Sequence, residues 1–158
     1  MFKVIVDSRE QYAWDFTFYD KCDGIISTKL DTGDYSIEGL ETVLTIERKR
    51  TTAEIAMNVG KDRKRFNAEL ERMSKFKYKY LICEFSFETL LRFPQDSGIP
   101  RSRWNSLRLS PQYLVSCLNS YKDRYGIDVI YCDNKQDANS KAIEILTDIY
   151  EKEMVSKS

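Results

Sequence analysis

The sequence predicts an α/β fold in which helices flank one central mixed β-sheet. Three observations support this prediction. Short apolar runs alternate with segments of helical periodicity along the chain. No Pro/Gly/Ser-rich linker, internal repeat or low-complexity tract divides it. With 158 residues, of which 42% are hydrophobic and 32% charged, the chain has the size and composition of one globular domain that can bury a core.

The first elements are strands. Lys3 to Val6 is an apolar strand, and Gly24 to Leu30 is a second, short one. Residues 11–23 between them are rich in aromatic side chains, and their alternation fits an extended segment as well as a short helix. These aromatics either stack on unpaired bases or cover one face of the sheet, and we favour the second arrangement.

The next segment, Ser36 to Thr45, predicts an antiparallel hairpin. A hairpin returns Asp34, at the start of its first arm, to the end of its second arm. Side chains on a strand alternate between faces, so Glu47 and Lys49 point the same way, about 6.5–7 Å apart along the strand. Arg48 faces the opposite side. Two carboxylates and one lysine are therefore expected in a single patch.

This patch has the residues needed to cut a phosphodiester. Two carboxylates can hold Mg²⁺, which keeps several waters and also takes a substrate phosphate oxygen. A lysine two residues from the metal-binding glutamate can orient or deprotonate a water and stabilise negative charge. Histidine is absent, which excludes histidine-based general-base, histidine–metal and phosphohistidine mechanisms. A zinc site is not expected, because the four cysteines are far apart.

Helical patterns follow. Thr51 and Glu54 fit a capping box, in which Glu54 bonds back to the Thr51 amide, for a short helix that stops at Gly60. Asp62 caps a longer helix. We then expect a strand at Tyr80–Phe85, a helical turn at Glu88–Phe93, a loop at Pro94–Pro100, a helix from Ser110 to Gly126, a strand at Ile127–Cys132 and a last helix from Asp133 or Asn134.

Three motifs occur in order within the first fifty residues: Val6-Asp7-Ser8-Arg9-Glu10, Gly33-Asp34-Tyr35 and Ile46-Glu47-Arg48-Lys49. Together they resemble the nuclease domain of the XPF-type structure-specific endonucleases, which have the restriction-endonuclease-like fold of the PD-(D/E)xK superfamily. By position the resemblance covers Phe2 to about Glu84, and the rest only through its pattern of elements.

The resemblance implies roles for seven residues. Asp34 and Glu47 would ligate the metal, with Asp7 lending a further carboxylate, and Lys49 would position the nucleophilic water. The other three, which would support the site or the scissile phosphate, are Arg9, Glu10 and Arg48.

One position departs from the family pattern. In the family an aspartate typically follows four residues after the lysine, whereas this chain has Ala53 there, with Glu54 beside it. We assign Glu54 to the helix cap rather than to the site. Glu84, at the end of a strand, either leans toward the site or lies at the surface.

The net charge is zero, but it is unevenly distributed. Residues 1–46 carry 4 basic and 9 acidic groups, and residues 47–80 carry 11 and 5. A basic segment beside an acidic one suits a metal-dependent nuclease, which must attract phosphates and hold a cation. The predicted DNA contacts are Lys61, Arg63, Lys64 and Arg65, for which a solvated charge cluster is the alternative, and Arg101 and Arg103, for which a mobile surface segment is the alternative.

The resemblance also implies a substrate, a cofactor and an assembly. Family enzymes use Mg²⁺ or Mn²⁺ to cut one strand of branched DNA near a single-strand/duplex junction, and they pair as dimers through their later helices. We therefore expect a magnesium-dependent DNA endonuclease. A catalytically silent DNA-binding scaffold and a four-way-junction resolvase are the alternatives.

We expect residues 1–158 to form a single nuclease domain without the helix-hairpin-helix module that usually follows it. Junction binding would then be simplified, as in a compact viral or mobile-element nuclease, or supplied by another subunit.

No apolar run is long enough for a membrane helix, and the start lacks a signal-peptide pattern. Cys83 and Cys132 lie in apolar runs, as expected of buried thiols in a reducing compartment. The predicted location is the cytoplasm or nucleus, or the host cytoplasm for a viral protein.

The last helix carries apolar residues on more than one stripe, which is more than one sheet-facing side requires. We expect Ile143, Ile145, Leu146, Ile149 and Tyr150 to join Leu114, Leu118 and Tyr121 of the preceding helix in a self-complementary homodimer patch. The alternative is that the two helices only pack on each other and on the sheet.

Overall fold

The computed structural model describes residues 1–157. Its strands are β1 (Phe2–Asp7), β2 (Cys22–Thr28), β3 (Tyr35–Ile37), β4 (Leu44–Lys49), β5 (Tyr78–Cys83) and β6 (Asp128–Tyr131). Its helices are α1 (Thr52–Val59), α2 (Arg63–Met73), α3 (Phe87–Leu91), α4 (Pro111–Tyr125) and α5 (Lys135–Lys157), with a 3-10 helix at Arg101–Ser106. Within residues 1–157, no helix combines the length and apolar character needed to cross a membrane.

The strands form one mixed sheet in the order β2-β1-β3-β4-β5-β6. The hairpin strands β3 and β4 are antiparallel, and so are β1 and β3. The pairs β1 and β2, β4 and β5, and β5 and β6 are parallel, and helices connect the last two pairs. The predicted α/β fold with a central mixed sheet is confirmed.

Helices cover both faces of the sheet, and the strand alternation assigns each side chain to a face. Ile46 belongs to the core beneath α5, together with Trp14 and Phe16. Leu81, which pairs with Glu47 across the parallel β4–β5 ladder, belongs to the core beneath α1, α2 and α4. Glu47 and Lys49 therefore lie on the α1/α2 face of the sheet.

The N-terminal segment and the first helix cap differ in detail from the prediction. No helix forms in residues 11–21; Trp14 and Phe16 are buried against the sheet, as favoured, while Tyr12 and Phe18 are exposed. The Thr51 hydroxyl accepts a hydrogen bond from the Glu54 amide, as a capping box requires. The Glu54 carboxylate, however, accepts from the amide of Arg50 instead of Thr51.

The residues predicted for the dimer patch are wrong, because they pack inside the chain. Leu114, Leu118 and Tyr121 are buried in the core on the α1/α2 face. The α5 residues of the predicted patch, from Ile143 to Tyr150, are buried or packed in the core on the opposite face, where Tyr150 contacts Phe2 with ring centroids 5.1 Å apart. The two helices lie on different layers, so the apolar residues of the predicted patch pack inside the chain.

Candidate active site

Asp34, Glu47 and Lys49 line one open cleft of about 410 Å³ at the end of β4. The sequence placed these three side chains together, and the structure does the same. The cleft is also lined by Asp7, Arg9, Glu10, Asp31, Gly33, Asn58, Arg65, Phe66, Glu69 and Arg72.

Backbone hydrogen bonds fix Asp34 between β1 and β4. Its amide donates to the Ile46 carbonyl (2.7 Å), and its carbonyl accepts from the Asp7 amide (2.8 Å). Its carboxylate Oδ2 accepts from the Arg48 amide at 2.8 Å. The preceding Gly33 has a φ of +80°, and a Cβ there would lie 2.1 Å from Thr45 Oγ1. Only glycine fits at this turn.

Glu47 and Lys49 form an ion pair inside the cleft, with Lys49 Nζ 3.0 Å from Glu47 Oε2 and side chains that are 7% and 8% exposed. The ammonium also lies 4.8 Å from the centre of the Phe66 ring. Burial lowers the pKa of Lys49, but the Glu47 carboxylate outweighs this effect, so the net pKa lies above its ordinary value. Lys49 is therefore a persistent cation at neutral pH.

The two carboxyls that face this cation resist ionisation. Burial raises the pKa of Asp34 to about 7, with a further contribution from the charge of Glu10. Burial, then the charge of Asp34, raises the pKa of Glu47 well above its ordinary value. Two close carboxyls repel each other when both are ionised, and a bound cation would relieve this repulsion.

The donor set fits a hard divalent cation such as Mg²⁺, for which carboxylate oxygens are the preferred protein ligands. Within residues 1–157, no group of three or more Asp, Glu, Cys or His comes together to hold a metal ion. Asp34 and Glu47 would therefore supply two ligands. Magnesium commonly binds through one or two carboxylates and keeps several waters.

The structure does not bring Asp7 into a three-carboxylate group, although Asp7 borders the cleft. Its two carboxylate oxygens accept hydrogen bonds from Arg9 at 3.0 and 3.1 Å, and Oδ1 also accepts one from the Leu30 amide at 2.9 Å. Burial raises the pKa of Asp7, but these bonds outweigh it, so the net pKa lies below its ordinary value. Asp7 thus holds Arg9 at the rim of the cleft.

Arg48 lies on the opposite face of the sheet from the cleft. Its side chain is 1% exposed, and its Nε donates to Glu84 Oε2 at 2.6 Å. Trp14 Nε1 donates to the same carboxylate oxygen at 2.6 Å. Arg48 Nη1 also lies 3.4 Å from Glu10 Oε2. This placement does not fit a contact between Arg48 and the scissile phosphate. It fits a role for Arg48 in supporting strand β4. Glu84 neither faces the cleft nor lies at the surface.

The predicted basic residues do not line one depression. Arg65 lines the cleft and pairs with Asp62 at 3.2 Å. Lys61 and Arg103 border a separate apolar groove, and Arg63 borders a third depression beside α4. The remaining two, Lys64 and Arg101, are exposed.

Sequence reasoning missed several residues of the cleft wall. On α2, Glu69 and Arg72 were missed. They recur at helical spacing with the predicted Arg65, and each of the three precedes a residue of the buried stripe (Phe66, Leu70 and Met73), so that spacing was an available signal. Asn58 on α1 also lines the cleft, and its buried Oδ1 has no hydrogen-bond partner among the residues the structure describes. Asp31 was likewise missed, and no sequence signal marked either residue.

This chain is similar to known proteins in sequence and in fold. The model of the ERCC4 domain family matches residues 6–141. A solved structure of XPF from Aeropyrum pernix is 19% identical, with a TM-score of 0.63, covering 94% of this chain and 61% of its own. A structure of XPF from Aeropyrum pernix in complex with DNA is 18% identical, with a TM-score of 0.64. That match covers 96% of this chain and 66% of the XPF chain. This chain thus spans less than two thirds of either. No curated protein matches.

Proposed function

The chain belongs to the ERCC4 domain family, and from this premise we propose that it is a DNA endonuclease that uses Mg²⁺ or Mn²⁺ to cut branched or flapped DNA. The observation that carries the proposal is the convergence of Asp34, Glu47 and Lys49 in one cleft on a nuclease fold. Hydrolysis in this cleft has to run on carboxylates, lysine and a cation, since the chain contains no histidine.

Asp34 and Glu47 would hold the divalent cation, which when bound neutralises charge on the phosphate and activates water. Lys49 would orient that water and stabilise the charge that develops on the phosphate oxygens. Because its pKa is raised, Lys49 acts as a cation in this proposal and not as the general base.

Arginines at the rim would attract the DNA backbone. Arg65 and Arg72 of α2 line the cleft, and so does Arg9, which pairs with Asp7. Their positive charge offsets the acidic floor, as phosphate binding requires. XPF from Aeropyrum pernix, which contains this fold, is solved in complex with DNA, and this supports the proposal.

We also propose a homodimer through α4 and α5, because the family resemblance implies one. The exposed apolar side chains on these helices include Tyr113 (39% exposed) and Met154 (46% exposed). Such a dimer would present two cleft surfaces to one branched DNA. Light scattering at micromolar concentration tests it: the expected result is a dimer mass that Tyr113→Asp or Met154→Asp reduces, and a monomer mass for the unaltered chain contradicts it.

Cleavage of a substrate panel tests the main proposal. The purified protein is incubated with Mg²⁺ and labelled flap, fork, four-way-junction and duplex DNA. We expect cutting of branched substrates, and its loss in Glu47→Gln and Lys49→Ala. The matched control is Glu71→Gln, an exposed glutamate of α2 outside the cleft. Equal cutting by all four proteins would overturn the assignment, and a preference for four-way junctions would favour the resolvase.

A second candidate function is a catalytically silent DNA-binding scaffold. Ala53 in place of the family aspartate and the absence of a three-carboxylate group within residues 1–157 favour it. A scaffold would bind forked DNA equally well in chelator and in Mg²⁺, and calorimetry would detect no metal binding. Metal uptake that Glu47→Gln abolishes would exclude the scaffold.

A further inference from the structure

A second depression, here called the α1 groove, lies beside the cleft. It measures about 580 Å³ and runs between α1 and the segment that joins α3 to α4. Its walls are mainly apolar, with Met57 of α1 on one side and Phe93, Ile99, Leu107 and Leu109 on the other. Met57 is 48% exposed. Pockets of this size and character bind organic groups as large as a nucleoside.

Three cations border this apolar space. Lys61, Arg103 and Arg108 are exposed at its edges. Among the residues that line the groove in the described part of the chain, none is acidic. An apolar floor with a purely cationic rim suits a ligand that joins a flat, weakly polar body to anionic groups. A nucleotide has this chemistry, since every base has an apolar face and is flanked by phosphates.

The groove and the cleft are adjacent along the chain. Met57 lines the groove, and the next residue, Asn58, lines the cleft. Lys61 borders the groove, and Arg65, four residues further on, lines the cleft. Because residues next to each other on α1, and cations four residues apart, line the two depressions, a single strand of nucleic acid can contact both.

We propose that the α1 groove binds one unpaired nucleotide of the DNA substrate, with its base against the apolar walls and its phosphates beside Lys61, Arg103 and Arg108. This inference rests on the proposed function and adds a specificity determinant to it. A base inside a duplex is stacked and paired, so it enters such a groove only after extrusion, at a cost of a few kcal/mol. An unpaired base near a junction avoids most of this cost, so the groove selects branched over blunt DNA.

An abasic scan of a fork tests the proposal. Fluorescence anisotropy of the full chain is measured in chelator, so that binding is separated from cutting. Abasic sites are placed one at a time along the unpaired arm. We expect one or two positions next to the junction to lose about fivefold or more in affinity, since a stacked base contributes that much. Contacts to phosphates alone would give a flat profile.

Variants locate the effect. Met57→Glu places a carboxylate in the wall of the groove and should flatten the abasic profile. Met57→Ala should reduce the loss of affinity at the sensitive abasic positions without adding charge. Arg103→Glu should weaken binding of the fork more than binding of a blunt duplex of equal length. The matched control is Lys135→Glu, an exposed lysine at the start of α5 that lines neither depression. Circular dichroism checks that each variant is folded.

The outcomes separate this inference from the function on which it rests. A wild-type chain that binds and cuts forks but gives a flat abasic profile overturns the groove and leaves the nuclease. A wild-type chain that binds no DNA overturns both. If folded Met57→Glu and Arg103→Glu both bind forks as the wild type does, the groove belongs to a different class of ligand, such as an apolar peptide with acidic flanks, and the proposal is wrong.

Discussion

The carboxylate of Asp34 accepts a hydrogen bond from the backbone N–H of Arg48, with Oδ2 2.8 Å from the nitrogen. This bond ties the candidate metal ligand of one hairpin strand to the strand that carries Glu47 and Lys49. A backbone group of β4 therefore fixes the Asp34 carboxyl, and the ion pair with Lys49 holds the Glu47 carboxyl. A preorganised pair of this kind needs little rearrangement when a cation or a phosphate arrives.

Asp34→Asn separates the charge of this residue from its role in the hairpin. The amide oxygen can still accept the bond from the Arg48 amide, so the fold should survive. Loss of one anionic ligand should reduce Mg²⁺-dependent cleavage by about 100-fold or more. Single-turnover cleavage of a fork, with thermal unfolding alongside, measures both effects. The control is Asp20→Asn, an exposed aspartate outside the cleft. Wild-type cleavage by Asp34→Asn would remove this residue from the site.

Stability without metal should depend on pH in a direction that Asp34 sets. Its pKa is about 7 in the folded chain and about 4 when unfolded, so the folded state binds the proton more tightly. This contribution to stability is complete below about pH 4 and is lost as pH rises through 7. Comparing wild type with Asp34→Asn isolates it from the other carboxyls.

The measurement is thermal unfolding between pH 5 and 8 in chelator. The melting temperature of the wild type should fall with rising pH more steeply than that of Asp34→Asn. Added Mg²⁺ should stabilise the wild type at pH 8 more than at pH 5, because protons and the cation compete for the same oxygens. Parallel pH profiles for the two proteins would show that the Asp34 pKa is not raised.

Local periodicity explains what the sequence could predict of the site. The alternation of a strand depends only on neighbouring residues, so Glu47, Lys49 and the opposed Arg48 could be assigned to faces without the fold. The partners of Arg48 could not be assigned in this way. Glu84 lies 36 residues further along the chain and reaches Arg48 only after β5 pairs with β4.

Nonlocal packing also explains the incorrect dimer patch. The apolar stripes of α4 and α5 were visible in the sequence, but the layer on which each helix packs was not. Leu118 of α4 and Leu146 of α5 belong to cores on opposite faces of the sheet. Apolar content that looked like a surplus on one surface is thus divided between two. The sheet order that separates the helices depends on contacts between residues far apart in sequence.

Two glycines with similar backbone angles should respond differently to alanine. Gly33 and Gly39 have φ values of +80° and +92°, so an alanine side chain strains either turn by about 1 kcal/mol. At Gly39 nothing lies within 4 Å of an added Cβ, whereas at Gly33 that atom would lie 2.1 Å from Thr45 Oγ1. Gly33→Ala should therefore destabilise more, and it should also displace Asp34.

Urea unfolding and fork cleavage test this pair together. Gly39→Ala serves as the control for the backbone angle and should keep its cleavage activity. Gly33→Ala should lose both stability and activity, the latter because the Asp34 carboxylate moves relative to Glu47. If the two variants were equally stable and equally active, the close contact at Gly33 would have no influence on the site.

The buried ion pair between Arg48 and Glu84 should contribute to the stability of the sheet and not directly to chemistry. Glu84→Ala leaves the Arg48 guanidinium without its shortest partner and the Trp14 indole N–H without an acceptor. Removing one member of a buried pair costs about 3–5 kcal/mol. Glu84→Gln keeps an oxygen acceptor and should cost less. The exposed Glu88 of α3 provides the control, and Glu88→Ala should change the free energy of unfolding little.

Urea unfolding gives the free energies, and cleavage well below the melting temperature gives the activity. If Arg48 only supports β4, folded Glu84→Gln should cleave at nearly the wild-type rate while unfolding at lower urea. The same should hold for Arg48→Lys, which keeps the charge but loses the contacts of Nη1 with the Tyr12 carbonyl and Glu10. A stable Arg48→Lys protein with cleavage reduced 100-fold would instead return Arg48 to the reaction, and would require the buried guanidinium to reach the phosphate during turnover.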